Sequence, residues 1–291
     1  MTTDTQILRR AALSIDDGVA HFQMRDTASR NAFTQELKDD YADLITLVRK
    51  RPDIRALLIS GSSGAFCSGG DLKSLTGQRS ADGTPLRNVE AIRARLRDSH
   101  QWFEGLFNLE VPVVAAIDGT AFGAGFSLAL AADIIVATPR STFCMAFNRI
   151  GAIPDLAALY MLPRMIGLRR AKDIMMSARV VGAPEAHSLG IVHSLHEQDA
   201  LMDVAMGMAR RFTQGSAEAL ALTKLYSNQS QESDYATMAR LEGMGQSICL
   251  TSDYFYDAVD RFVERRPAKF VWDPPGAGTK SSATTPDKSV K

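Results

Sequence analysis

The stretch VVAAIDGTAFGAGFSLALAAD, residues 113–133, organises the chain. Val113–Ile117 is an apolar run that reads as a buried strand. Asp118-Gly119 is a turn signal. Gly123-Ala124-Gly125 forms a glycine-spaced loop, and the apolar run Phe126–Ala132 reads as a helix. Strand, glycine loop and helix start, in that order, aim free backbone N–H groups at an anion. The positive end of the helix dipole adds to this. Glycine also lets the backbone approach a ligand with no Cβ between them. The same glycines serve tight strand–helix packing, so this stretch alone leaves both roles open.

A second loop of the same kind lies upstream. Ile54–Ser60 (IRALLIS) is mostly apolar on both faces, as in a parallel sheet, and Gly61–Gly70 follows it, ending at Asp71. Before that strand, Leu8 to Phe22 reads as two strands around Asp16-Asp17-Gly18, a hairpin signal. The polar loop DTASRNAF, 26–33, leads to Thr34, an N-cap for a helix over Gln35–Lys50 with Leu37, Tyr41, Leu44, Ile45 and Val48 at helical spacing. Residues 76–88 are polar and expected to be a mobile loop; Val89–Leu109 is an amphipathic helix carrying His100 and Trp102.

Downstream, Ile134–Ala137 reads as a strand, Thr142–Phe147 as a short strand or its edge, Ile150–Asp155 as a turn and Leu156–Ile166 as a helix. The alternation predicts a mostly parallel α/β core with both glycine loops opening at the C-terminal ends of their strands. Beyond it, 200–212, 217–227, 232–250 and 253–264 read as helices. The expected organisation is a core over 1–199, a helical region suited to oligomer contacts over 200–270, and a loosely held Pro/Gly/Ser/Thr/Lys-rich tail over 271–291.

Composition removes several function classes. The 291 residues hold 33 Lys plus Arg against 33 Asp plus Glu, which argues against a polyanion surface, so no nucleic-acid partner is expected. Cys67, Cys144 and Cys249 lack metal-ligand spacing and cannot all pair, which suits a reduced compartment and no metal. His187, His193 and His196 show no metal spacing either. The N-terminus has no secretory apolar stretch, and Gly119–Ala132, with 14 residues, is too short to span a bilayer. A cytoplasmic protein with no membrane partner is the expectation.

Three segments now stand in order: AFCSGGDL (65–72), IDGTAFGAGFSLALAADI (117–134) and RIGAIPDLAALYMLPRMIG (149–167). With SRNAF (29–33) and DAVDRFVERRPAKF (257–270), they resemble the crotonase superfamily, the enoyl-CoA hydratase/isomerase family. The resemblance implies an α/β fold, a ClpP/crotonase-like spiral of ββα units with a C-terminal α-helical trimerisation region. It also implies homotrimers, or hexamers built as dimers of trimers. It implies acyl-CoA thioester substrates, with coenzyme A as part of the substrate and no separate cofactor. A thioester that loses an α-proton becomes an enolate, whose oxygen needs hydrogen-bond donors. By position in the motifs those donors are the N–H groups of Gly70 and Ala124. Ser68, Asp71 and Leu72 carry over as coenzyme A contacts; without that role they form a turn, cap a helix and fill the core.

The acid–base group follows from the same motifs. Hydratases of the family use two glutamates, which align with Ser127 and Phe147 here, so both carboxylates are missing. A carboxylate does stand at Asp155, in Ile153-Pro154-Asp155. Family members with an aspartate there resemble double-bond isomerases, including the epoxyphenylacetyl-CoA type. One carboxylate suffices for them, because the same group can take and return the proton. Phe147, Ile153 and Leu156 would raise its pKa by desolvation, while a helix start would lower it. The plainer role for Asp155 is to cap the helix 156–166.

The stretch also resembles 4-chlorobenzoyl-CoA dehalogenases, in which an aspartate matching Asp155 is the nucleophile and a histidine matching His100 activates water. There a tryptophan matching Phe147 hydrogen-bonds the nucleophile, and phenylalanine has no N–H. His100 otherwise reads as an ordinary helix histidine. Cys67, with no base beside it in sequence, reads as a small filler. The expected activity is an enoyl-CoA isomerase with Asp155 as base and Phe147 and His100 on the pocket wall. The alternatives are an enoyl-CoA hydratase, a dehalogenase-like hydrolase and a non-catalytic acyl-CoA binder.

Overall fold

The computed structural model describes residues 5–72 and 88–272. The loop expected over 76–88 lies outside the described residues except for Asn88, and so does the tail beyond Trp272.

Three successive ββα units build the core. Strand β4 (Ala56–Ser60) is followed by β5 (Ala65–Cys67) and α2 (Val89–Phe107). Next come β6 (Val113–Ile117), β7 (Thr120–Phe122) and α3 (Ala124–Leu130), then β8 (Ile134–Ala137), β9 (Thr142–Cys144) and α4 (Ala158–Ile166). In each unit the first strand joins a seven-stranded sheet and the second joins a four-stranded one. The chain therefore winds between two sheets, which is the spiral the motifs imply.

The large sheet begins with β1 (Thr5–Ile7), β2 (Ala11–Asp16) and β3 (Val19–Met24), paired antiparallel, and continues parallel through β4, β6, β8 and β11 (Ser194–Leu195). In the small sheet β5, β7 and β9 are parallel, and β10 (Val180–Gly182) closes the edge antiparallel to β9.

The unbroken apolar run of β6 has a simple cause. Val113, Ala115 and Ile117 face one core, while Val114 and Ala116 face another. Side chains alternate along a strand, so a strand buried on both faces must be apolar at every position. The second core is covered by α7 (Leu201–Thr213), which contributes Leu201, Ala205, Met208 and Ala209. Helix α1 (Gln35–Lys50) starts where Thr34 Oγ1 accepts from Leu37 N–H at 3.3 Å.

The later helices behave differently. Among the described residues of α8 (Ala217–Ser230), α9 (Tyr235–Cys249) and α10 (Asp253–Val263), only Lys224 and Gly245 are buried. Lys224 docks α8 on the sheet, with Nζ 2.8 Å from Asp133 Oδ2 and 3.2 Å from the Val111 carbonyl. The same Asp133 oxygen accepts from Val113 N–H at 2.7 Å and so holds the start of β6. Tyr235, Met244, Phe262 and Val263 stand exposed. No helix among the described residues is long and apolar enough to cross a membrane.

Several boundaries differ from the sequence expectation. The strand expected over 142–147 ends at Cys144, whose carbonyl is taken by Gly123 N–H at 2.8 Å, and 146–150 then winds as a 3₁₀ turn. The helix expected from Leu156 starts at Ala158, because Leu156 and Ala157 are both left-handed, with φ of 48° and 58°. The strands β1, β5, β7, β10 and β11, with helices α5 (Leu168–Ser177) and α6 (Ala183–Ser188), add to the elements bounded from the sequence. Strands of two or three residues are too short to show a period and exist through their partners.

Candidate active site

The two glycine loops converge on one cavity of about 950 Å³. The first is held by the loop before α1. Asn31 Nδ2 donates to the Ala65 carbonyl at 2.8 Å, Ser68 N–H to the Arg30 carbonyl at 3.0 Å, and Phe33 N–H to the Gly69 carbonyl at 2.8 Å. SRNAF is thus a clamp on AFCSGG. Gly69 has a φ of 105°, and a Cβ there would lie 2.8 Å from the Phe122 carbonyl oxygen, so only glycine fits. Gly70, next in line, faces open space.

The second loop locks onto the first. A Cβ on Gly125 would come within 2.4 Å of the Cys67 carbonyl oxygen, so its absence lets α3 begin against the end of β5. The Gly123 carbonyl accepts from Phe126 and Ser127 N–H at 3.0 and 3.1 Å. Gly70 and Ala124 both line the cavity, and among the described residues neither N–H has a protein acceptor. Two free donors on one apolar wall constitute an anion-accepting arrangement.

All the sequence-derived candidates border this cavity: Asp155, Gly70, Ala124, Ser68, Asp71, Leu72, Phe147 and His100. The Ser68 hydroxyl donates to the Ser29 carbonyl at 2.9 Å, so it also shapes the turn. Leu72 is half-exposed at the cavity rim and does not fill the core. Cys67 is fully buried behind the loop, and burial pushes its thiol up to about 12, which suits a filler. Ser127, where a hydratase glutamate would align, is buried off the cavity, with its hydroxyl 3.4 Å from the Gly123 carbonyl.

Asp155 reaches the cavity from the turn before α4. It does not cap a helix: α4 begins three residues later, and Ala157 at its N-cap position offers no side-chain cap. The two left-handed residues after Asp155 turn the chain away, and the carboxylate stays at the cavity wall. Its Oδ1 is buried, with no hydrogen-bond partner among the described residues. Burial raises its pKa above the usual carboxylate range, and His100, Lys38 and Arg95 pull in the opposite direction.

Lys38 of α1 and Arg95 of α2 were not among the sequence candidates. Both are partly buried and line the cavity. Burial and the neighbouring Arg95 lower the Lys38 pKa, with Asp155 and Asp39 opposing. The Lys38 ammonium stands 5.8 Å from the centre of the Phe33 ring. Their available signal was positional: Lys38 follows the buried Leu37, and Arg95 lies one helical turn before the buried Ser99. Among the described residues no group of three His, Cys, Asp or Glu side chains is arranged to hold a metal ion.

Comparison with known proteins agrees with this geometry. A crystal structure of an enoyl-CoA hydratase/isomerase from Cupriavidus metallidurans is 37% identical and superposes with a TM-score of 0.86, covering 93% of this chain and 99% of that one. The 1,2-epoxyphenylacetyl-CoA isomerase of Escherichia coli is 29% identical, over 88% of this chain and 96% of that protein. The mitochondrial methylglutaconyl-CoA hydratase of Mus musculus is 30% identical, over 87% and 79%. The family model described as enoyl-CoA hydratase/isomerase matches residues 14–273. With the two glycine loops, the ββα spiral and this match across nearly the whole chain in agreement, the protein belongs to the enoyl-CoA hydratase/isomerase family.

Proposed function

We propose that the protein shifts a double bond in an enoyl-CoA thioester, with Asp155 as the proton carrier. The observation that carries this reading is the Asp155 carboxylate itself. It is desolvated, lacks a hydrogen-bond partner at Oδ1 among the described residues, and shares one cavity with the free N–H groups of Gly70 and Ala124. The thioester oxygen accepts from those two N–H groups. Ionised Asp155 takes a proton from C2 of a 3-enoyl thioester, and the charge spreads over a dienolate. Asp155, whose carboxyl proton exchanges with solvent while the dienolate lasts, then delivers a proton to C4, leaving the 2-enoyl product and the carboxylate unchanged. Such proton transfer by a positioned group contributes about 100- to 10,000-fold.

Two further observations support the reading. Ser127 is off the cavity and Phe147 has no acid group, so the paired carboxylates for adding water are absent at those positions. Leu156 and Ala157 hold left-handed backbone at about 1–3 kcal/mol each, strain of the kind that collects at functional sites. One relative is named an isomerase and another a hydratase, so the choice rests on this chain's own residues. His100 beside Asp155 favours one second reading, a hydratase in which the two position a water.

In the proposed complex the acyl chain packs on Phe147, and coenzyme A follows Ser68, Asp71 and Leu72 out of the cavity. The reaction needs no resident cofactor. The exposed Tyr235, Met244, Phe262 and Val263 are the faces on which copies of the chain would form a trimer or a hexamer, and sedimentation velocity would test that assembly.

The deciding experiment follows 3-enoyl-CoA substrates in D2O by mass spectrometry, with Asp155→Asn in parallel. The expected result is a 2-enoyl product with deuterium uptake, lost in the variant. A hydrated product would transfer the assignment to the hydratase. Binding without product or exchange would leave an acyl-CoA binder.

A further inference from the structure

The acyl side of the cavity carries more positive charge than proton transfer requires. Lys38 projects from α1 and Arg95 from α2, and both line the wall that holds Asp155. Among the described residues neither makes an ion pair. Asp155 feels both charges but pairs with neither, and its own ionisation is opposed by burial. Asp39, the other acid that acts on Lys38, accepts from Gln35 Nε2 at 2.9 Å. Two like charges therefore face each other across a partly buried wall, each repelling the other.

The surroundings indicate what would relieve that repulsion. Phe33, Leu96 and Leu156 line the same cavity and suit a hydrocarbon chain. At Lys38 and Arg95 the cavity meets a second one of about 370 Å³ between α1 and α2, and both cavities share Gln35, Lys38, Arg95 and Ser99. An apolar path thus ends at a polar, cationic junction.

We infer that Lys38 and Arg95 are a receptor for a carboxylate at the far end of the acyl chain, so that the preferred substrates are monothioesters of unsaturated dicarboxylic acids. The assignment rests on the proposed orientation of the thioester. With the carbonyl at Gly70 and Ala124 and the proton-bearing carbons at Asp155, whatever lies beyond Asp155 belongs to the acyl chain, while the coenzyme A phosphates leave along Ser68–Leu72. A carboxylate fits an arginine fork in two hydrogen bonds, and the ammonium adds a third contact.

Binding is measured first, with unreactive saturated probes. By calorimetry, adipoyl-CoA should bind the wild-type protein at least about 10-fold more tightly than hexanoyl-CoA, the scale of one good charge-assisted contact. Lys38→Met and Arg95→Met should each bring that ratio toward one, and added salt should narrow it in the wild type. A wild-type ratio at or below one overturns the inference, and so does a ratio that neither variant changes. If a variant does not fold, the wild-type ratio and its salt dependence decide. Turnover of 3-hexenedioyl-CoA against 3-hexenoyl-CoA then separates the two claims. A binding preference without turnover keeps the receptor and rejects the isomerase. Turnover without a preference keeps the isomerase and rejects the receptor.

Discussion

The two walls of the cavity are built on opposite principles. The glycine-loop wall works through its backbone: the Gly69 and Gly123 carbonyls are engaged, the strands interlock through Gly69 and Gly125, and among the described residues the N–H groups of Gly70 and Ala124 have no protein acceptor. The other wall, from α1, α2 and the turn before α4, offers side chains that act on one another: Lys38, Arg95, His100 and Asp155. Backbone donors recognise a carbonyl oxygen whatever is attached to it. Charged side chains distinguish one acyl group and one proton path from another. The difference teaches where to look for the family trait and where to look for this chain's own specificity.

The sharpest way to break the comparison is to remove one backbone donor and nothing else. Ala124 is the first residue of α3, where proline is tolerated because that N–H has no helical partner. Ala124→Pro should keep the fold by circular dichroism and cost about 100- to 1000-fold in kcat, the usual loss of one oxyanion donor. Retained activity would mean that this N–H holds no charge in the transition state.

A second change tests the interlock beneath that wall. Gly125→Ala puts a methyl within 2.4 Å of the Cys67 carbonyl oxygen, so backbone must move. The expected cost is about 1–3 kcal/mol or more, from overpacking, read from denaturant unfolding. The opposite wall should respond with the opposite sign. The Asp155 pKa is raised by burial, so ionised Asp155 opposes folding. Asp155→Asn should therefore raise Tm at neutral pH while it abolishes proton transfer. The gain should shrink as pH falls through the raised pKa and vanish below the ordinary carboxylate value, where the wild-type group is protonated in both states. In the wild type kcat/KM should fall in acid with an apparent pKa above that of a free aspartate. A Tm unchanged at neutral pH would show that this carboxylate is solvated.

The smallest effect concerns the thiols behind the glycine wall. Cys67 and Cys144 are buried and their thiols are pushed upward by burial, whereas Cys249 on α9 is partly exposed. Alkylation of the native protein should spare Cys67 and Cys144 until unfolding. Rapid native labelling of Cys67 would show that the glycine wall opens.

Much of the first wall was legible in the chain. Local pattern marked Val113–Ile117, Ile54–Ser60 and the two glycine loops that follow them, the resemblance named Gly70 and Ala124 as donors, and Thr34 marked the start of α1. The second wall was legible only at Asp155 and His100, through a resemblance. Lys38 and Arg95 escaped, because a lysine beside a buried leucine and an arginine in a helix rich in arginine look like solvated residues. The reading of Asp155 as a helix cap failed for a local reason that no pattern displayed: Leu156 and Ala157 adopt left-handed backbone and delay the helix to Ala158.

What the sequence determined by itself was therefore the part encoded over a few neighbouring residues: a mostly parallel α/β core with two glycine loops, since alternation, glycine spacing and capping are short-range, and, through the motifs' resemblance to a family, the spiral of ββα units. Only the tertiary structure decided which charges share the cavity. Residues 38, 95, 100 and 155 meet because α1, α2 and the turn before α4 pack around the same pair of glycine loops. Their mutual electrostatics depend on distance and burial, which no spacing along the chain records.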